Sequence, residues 1–220
     1  AGVTREEMDE WAYLSHRKAI AAIDEGRFKE EIVPIETPHG LFHTDEHPRR
    51  ETSLEKLASL KVLHPEIEGF SITAGNACGA NDGAAALAIA SDGLGLPALG
   101  TVRSWASVGV DPKFTGLAPV DAIPKALKRA GLSVADVDLF EINEAFASMC
   151  VATIKLLELD PETVNVSGSG CSLGHPVAAT GARMLVTLVH ELRRRGGGIG
   201  VAAMCAGGGM GSATVIEVPA

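Results

Sequence analysis

The four cysteines of the chain (Cys78, Cys150, Cys171 and Cys205) include no CxxC pair, which argues against a zinc ribbon or a disulfide framework and fits a reducing, cytoplasmic setting. No basic run is longer than Arg193–Arg195 and the formal charge is −9, so a nucleic-acid partner is not expected and an anionic ligand needs a local positive patch. No apolar run approaches the roughly 18 residues that a membrane helix requires. The first residues are polar and acidic, without the basic and apolar regions of a secretory leader, so no membrane association is expected. Internal repeats and low-complexity segments are lacking too. His39, His43 and His47 recur every four residues, a spacing that would align metal ligands on a helix. Pro38, Gly40 and Pro48 interrupt any helix there, so these are expected to be exposed loop histidines and no metal site is expected.

What is present is the composition of a globular protein: 220 residues, 46% hydrophobic and 21% charged, enough to bury a core in one or two domains. Thr4 with Glu7 makes a capping box, and apolar residues at helical spacing predict a helix over 5–25. A short strand is expected at 32–35, a helix at 53–60, a turn at 65–69 and a buried strand at 70–74. The following segments predict an alanine-rich helix over 81–91, a strand over 99–110, a helix over 119–130 and a strand over 137–142. The remainder reads as a helix over 144–157, a strand over 164–167, a long helix over 176–195, and two strands over 199–205 and 212–218. Strands alternating with helices and ending in a hairpin predict a layered α/β fold with a mixed sheet.

Three junctions between these elements carry reactive side chains, and in α/β sheets chemistry gathers where strands end. Asn143 follows a strand; it can hold a water or carbonyl through its amide, or simply cap the next helix, while Glu144 can cap or hold a partner. His175 precedes Pro176 at the start of the long helix, where the helix N-terminus favours a neutral ring, or it is a loop histidine with no task. Cys205 closes an apolar run before three glycines. It offers a proton donor or nucleophile beside backbone N–H groups able to face an oxyanion, or it is a small apolar residue in a tight hairpin.

Taken together, Asn143-Glu144-Ala145-Phe146-Ala147, Gly174-His175-Pro176 followed by Thr180-Gly181-Ala182-Arg183, and Cys205 with Gly207-Gly208-Gly209-Met210-Gly211 resemble, in order and interval, the three C-terminal motifs of thiolases. The segment from Thr73 to Gly83 looks like a fourth signature, and the likeness covers essentially the whole chain. It implies a thiolase-type C-terminal half, with residues 1–68 a partial, helical, CoA-covering loop domain and residues 69–220 the α/β domain. The implied activity is acyl transfer to or from CoA, as thiolysis of a 3-ketoacyl-CoA or as Claisen condensation. CoA and acyl-CoA are then substrates, and no permanently bound cofactor is implied.

By the same resemblance Cys205 is the acid/base, a role that suits a thiol because its pKa can be tuned toward neutrality near a positive or dipolar neighbour. His175 activates the nucleophile and helps form an oxyanion hole, Asn143 holds the water completing that hole, and Gly207 gives a backbone N–H to a second one. Arg49 and Lys56 are placed over the nucleotide of CoA, and Ala74 and Cys78 along the pantetheine path; the bland reading of these four is solvated charge and core. The sequence departs from the family at Cys78, where serine is more usual, which weakens a hydrogen bond to the pantetheine; departures at Ser169 and Cys171, and at Ala178 in place of a glycine, put pocket shape and so acyl preference in doubt. None of the four cysteines matches the motif of the family's nucleophile, which lies in the first half. The expectation is therefore a subunit of a split, hetero-oligomeric thiolase whose nucleophilic cysteine comes from a partner chain resembling the N-terminal half. A non-catalytic CoA-binding or regulatory subunit is the alternative. Ketoacyl synthases share the double-half fold but commonly place histidine where Cys205 stands.

Overall fold

The computed structural model describes residues 1–220. Thr4 Oγ1 accepts the Glu7 N–H while Glu7 Oε2 accepts the Thr4 N–H, which satisfies two N-terminal donors and starts α1 (Arg5–Asp24) as expected. β1 (Ile35–Thr37) and β2 (Gly40–Phe42) pair as a small exposed hairpin, displaced from the strand expected at 32–35. Ser53 caps α2 (Leu54–Ala58) by accepting the Lys56 N–H. β3 (Thr101–Gly109), α3 (Ala118–Ala130), β4 (Leu139–Ile142), α4 (Ala147–Leu157), α5 (Gly170–Leu173), α6 (Thr180–Arg194), β5 (Gly198–Ala206) and β6 (Met210–Val218) follow.

The four long strands form one sheet in the order β3-β6-β5-β4, with β4 parallel to β5 and the other neighbours antiparallel, so the expected mixed sheet is present. Successive residues of a strand face opposite sides, and both faces here are covered. Val201, Ala203, Ala213 and Val215 point into a core shared with α3 and α4. Ala202, Ile216 and Val218 point the other way, onto Met184, Leu188 and Leu192 of α6. α1 lies outside this sandwich, against α4 and α5. No helix is long and apolar enough to cross a membrane.

Several expected elements are replaced by side-chain-anchored loops. Residues 70–74 make one bridge, Thr73 to Val62, instead of a strand. The Thr73 N–H donates to Asn76 Oδ1 and Thr73 Oγ1 accepts the Gly75 N–H, so local bonds take the place of a ladder. At 164–167 there is again one bridge, Val164 to Phe140, because the Asn165 amide bonds both the N–H and the C=O of Ile142 and Asn165 itself turns to φ 50°. Residues 81–90 form no helix despite their alanines: nearly all are exposed, and so short a helix needs a face to bury. α4 starts at Ala147 rather than Glu144, since Cys78 donates its N–H to Ala145 O and Phe146 bridges Ala77. α6 starts at Thr180, the residues from Pro176 forming a turn first.

Candidate active site

Asn143 leaves the end of β4 with its N–H donated to Ala203 O of β5 at 2.9 Å. Its side chain is fully buried, and Nδ2 lies 3.4 Å from His175 Nε2 and 3.5 Å from Nδ1. The helix-capping alternative fails, because α4 begins only at Ala147 and its N-cap residue is Phe146. Asn143 Oδ1 has no hydrogen-bond partner, an unsatisfied buried acceptor beside the histidine ring.

His175 is fixed through its backbone and its ring. Its N–H is shared between Gly79 O and Asn81 Oδ1, both at 3.3 Å. Nδ1 stands 2.7 Å from Thr180 Oγ1, whose hydroxyl donates to Pro176 O at 2.9 Å. A hydroxyl that donates elsewhere accepts from the ring, so Nδ1 carries the hydrogen and Nε2 keeps its lone pair. Burial first, and the Arg183 guanidinium second, hold the His175 pKa below its ordinary value. The neutral ring expected from the sequence thus has a different cause from the helix end, which starts only at Thr180.

Cys205 sits near the end of β5, half-buried and paired in register with Gly211, with its thiol 3.4 Å from Met149 Sδ of α4. Burial raises its pKa, with Cys78 adding in the same direction. Gly207 follows at the exposed tip of the β5–β6 hairpin, where an added Cβ would meet nothing within 4 Å. The hairpin is pinned from below: Gly209, at φ 84°, gives its carbonyl to the Val110 N–H at 2.7 Å, and an added Cβ would lie 2.2 Å from Val110 O. The structure therefore brings Asn143 against His175, ties Asn143 through its backbone to the strand carrying Cys205, and leaves Gly207 open.

Two buried carboxylates hold these junctions. Glu144 is fully buried and accepts from Trp11 Nε1 at 2.9 Å, Ser15 Oγ at 2.7 Å, Asn165 Nδ2 at 2.9 Å and the Cys171 N–H at 3.0 Å. Four donors are what allow a carboxylate in such a place, and they fasten α1 and α5 to the turn after β4. Glu141 accepts from Arg183 Nη1 at 2.9 Å; burial pushes its pKa up to about 7 against the pull of that guanidinium, which also donates to Ser169 Oγ. The sequence shows Glu144 as a candidate holder but not its four partners, the nearest of which lies 21 residues away.

Beside this turn a cleft of about 830 Å³ is lined by Arg49, Lys56, Ala74 and Cys78, the four residues expected to meet CoA, together with Arg50 and the histidines His16 and His47. Arg50 is engaged by Asp24 at 2.6 Å, and Lys56 Nζ donates to Glu51 O at 2.6 Å. Burial raises the Cys78 thiol pKa. His39 and His43 are exposed, whereas His47 is half-buried with Nδ1 2.8 Å from Ser172 O, so the reading of all three as exposed loop residues is wrong for the third. His16 is buried in α1; it gave no sequence signal beyond its place in a helical pattern.

A two-sided mixed sheet with asparagine, histidine and cysteine at the ends of adjacent elements belongs to the class of layered α/β proteins that carry their chemistry at strand termini. The model of the thiolase C-terminal domain matches residues 96–218, and that of the thiolase N-terminal domain matches residues 1–93. The chain belongs to the thiolase family. It is 47% identical over 225 residues to a probable acetyl-CoA acetyltransferase of Escherichia coli, covering 98% of this chain and 56% of that protein. To a 3-ketoacyl-CoA thiolase of Bacillus subtilis it is 44% identical over 234 residues, with 99% and 59% covered. Among solved structures, the Bacillus anthracis acetyl-CoA acetyltransferase superposes with TM-score 0.93 at 47% identity, covering 98% of this chain and 56% of that one. Human mitochondrial 3-ketoacyl-CoA thiolase in complex with CoA superposes with TM-score 0.91 at 38% identity, covering 98% and 55%. The chain thus spans a little over half the length of these relatives.

Proposed function

We propose that this chain carries the proton-transfer and oxyanion-binding half of a thiolase site, acting on CoA thioesters, and that the nucleophilic cysteine is supplied by a partner chain resembling the N-terminal half. The observation that carries this reading is the His175 ring, with Nδ1–H spent on Thr180 and Nε2 left as a base beside Asn143. Such a base takes the proton of an incoming thiol. None of the chain's own thiols has the lowered pKa of an activated nucleophile: burial raises the pKa of Cys78 and Cys205, and raises those of Cys150 and Cys171 further still.

In the thiolytic direction, the partner thiol loses its proton to His175 Nε2 and its sulfur attacks the 3-keto carbon. The bond between the carbonyl carbon and the α-carbon breaks as the tetrahedral oxyanion collapses, giving an acyl-cysteine and the enolate of acetyl-CoA. The Cys205 thiol protonates that enolate; a thiol held protonated by burial suits this step. Free CoA then gives its proton to the Cys205 thiolate and attacks the acyl-cysteine, releasing acyl-CoA and returning the partner thiol as His175 gives back its proton. Asn143 with His175 stabilises one oxyanion and the Gly207 N–H the other. Arg49 and Lys56 meet the CoA phosphates, and Ala74 and Cys78 border its pantetheine arm.

A covering partner also suits the surface. Between residues 87 and 105 the chain exposes Ile89 (76%), Trp105 (66%), Leu94 (64%) and Leu96 (62%), apolar side chains that a covering partner would bury. The test is thiolysis of a 3-ketoacyl-CoA by this chain alone and by the chain co-expressed with an N-terminal-half partner. Turnover is expected only from the pair; full activity of the chain alone overturns the partner assignment.

A further inference from the structure

His47 belongs to neither the catalytic triplet nor the set of expected CoA contacts, yet it touches both segments that hold His175. Its Nδ1 is 2.8 Å from Ser172 O. A carbonyl only accepts, so Nδ1 carries the hydrogen in every charge state of the ring. Ser172 lies three residues before His175, in α5, and its hydroxyl is bonded to Ser15 and to the Ser169 N–H. The other ring nitrogen of His47 faces Gly79: a Cβ on that glycine would lie 2.4 Å from Nε2, so the imidazole occupies the space a side chain would take. Gly79 in turn accepts the His175 N–H.

Behind His47 the ring of His16 stacks at 6.3 Å with an interplanar angle of 18°. His16 Nδ1 accepts the Arg49 N–H at 3.2 Å, which requires a free lone pair there, and burial keeps this ring neutral with a pKa of about 4. The segment His47-Pro48-Arg49 is therefore fastened at both ends. One end holds the backbone that precedes the catalytic histidine, and the other belongs to the wall of the cleft.

From this arrangement we infer that His47 is a positioning residue for the thiolase reaction: by clamping Ser172 and Gly79 it sets the orientation in which His175 presents Nε2. The inference rests on the reading of His175 as the base of that reaction. A nucleophile and base held in contact lose rate steeply when one is displaced, by on the order of 10²-fold for an ångström. The N–H of His47, rather than its bulk, carries the effect. Asparagine places its amide N–H where Nδ1 was, glutamine places it further out, and phenylalanine keeps the ring but has no donor.

The experiment uses the full chain labelled with 15N at histidine, and the chain assembled with its N-terminal-half partner. In the wild type the His175 imidazole resonances should show the single tautomer protonated at Nδ1. His47→Phe and His47→Gln should convert this to an averaged pattern and lower kcat by about tenfold or more, with KM for CoA changed less than about twofold; His47→Asn should restore both readouts to within about threefold. Wild-type His175 resonances in His47→Phe, or altered resonances with an unaltered kcat, overturn the inference. If His47→Phe does not fold, the polar pair decides: asparagine retaining the pattern and glutamine losing it supports the clamp, and identical behaviour overturns it. Should the wild-type assembly show no thiolysis, the proposed function has failed, while the resonances of His175 still decide whether His47 orients it.

Discussion

At the scale of single residues, the proposed chemistry depends on which nitrogen of His175 is free, and Thr180 decides that. Replacing Thr180 by the isosteric valine removes the only acceptor for Nδ1–H, so the ring exchanges between tautomers. We expect Thr180→Val to lower kcat of the proposed two-chain assembly about tenfold while leaving KM for CoA within about twofold, measured by steady-state thiolysis. The placement of the candidate residues Asn143 and Cys205 at strand ends was legible in the sequence, whereas the helices expected directly after Asn143 and His175 begin three and four residues later. The electrostatic states of the site residues were less legible. The neutral His175 arises from burial and Arg183 rather than from a helix end, and burial raises the Cys205 thiol, effects that depend on side chains far away in the sequence. His47 was misread for the same reason: its partner Ser172 lies 125 residues away.

Among the elements, α1 and the β5–β6 hairpin carry the sharpest expectations. His16 in α1 has a folded pKa of about 4 against 6.5 when unfolded. Between those values the unfolded chain binds the extra proton, so this group makes stability rise with pH and withdraws it as pH falls from 6.5 toward 4. Glu31 and Glu141, both pushed up to about 7, act in the opposite sense between 4.5 and 7, so the readout is a difference between two proteins. The urea midpoint of wild type should drop more between pH 7 and pH 5 than that of His16→Gln. In the hairpin, Gly209→Ala forces a side chain into a left-handed backbone and onto Val110 O, and should cost about 2 kcal/mol or more by urea denaturation. Helices and strands with strong periodicity or caps were legible: α1, α3, β3 and the final hairpin lie where expected. The segment 81–91 was not, since alanine content speaks for a helix only when there is a surface to receive it, and here the residues are exposed.

For the whole molecule, the mixed sheet with helices on both faces followed directly from the alternation of elements, whereas which apolar side chains stay exposed did not. The exposed apolar side chains between residues 87 and 105 lead us to expect self-association of the isolated chain in size-exclusion chromatography, relieved by co-expression with the N-terminal-half partner. A well-behaved monomer of the chain alone would count against that partner. The same architecture sets a limit on how the molecule can be shortened. Trp11 and Ser15 reach the Glu144 carboxylate from positions 133 and 129 residues earlier in the chain. Clipping away α1 would therefore do more than trim a peripheral helix: it would remove two of the four donors that hold the Glu144 side chain, leaving only Asn165 and the Cys171 N–H, next to the candidate site residue Asn143. Proteases and protein engineers alike should find the first helix indispensable, although it holds none of the reacting groups.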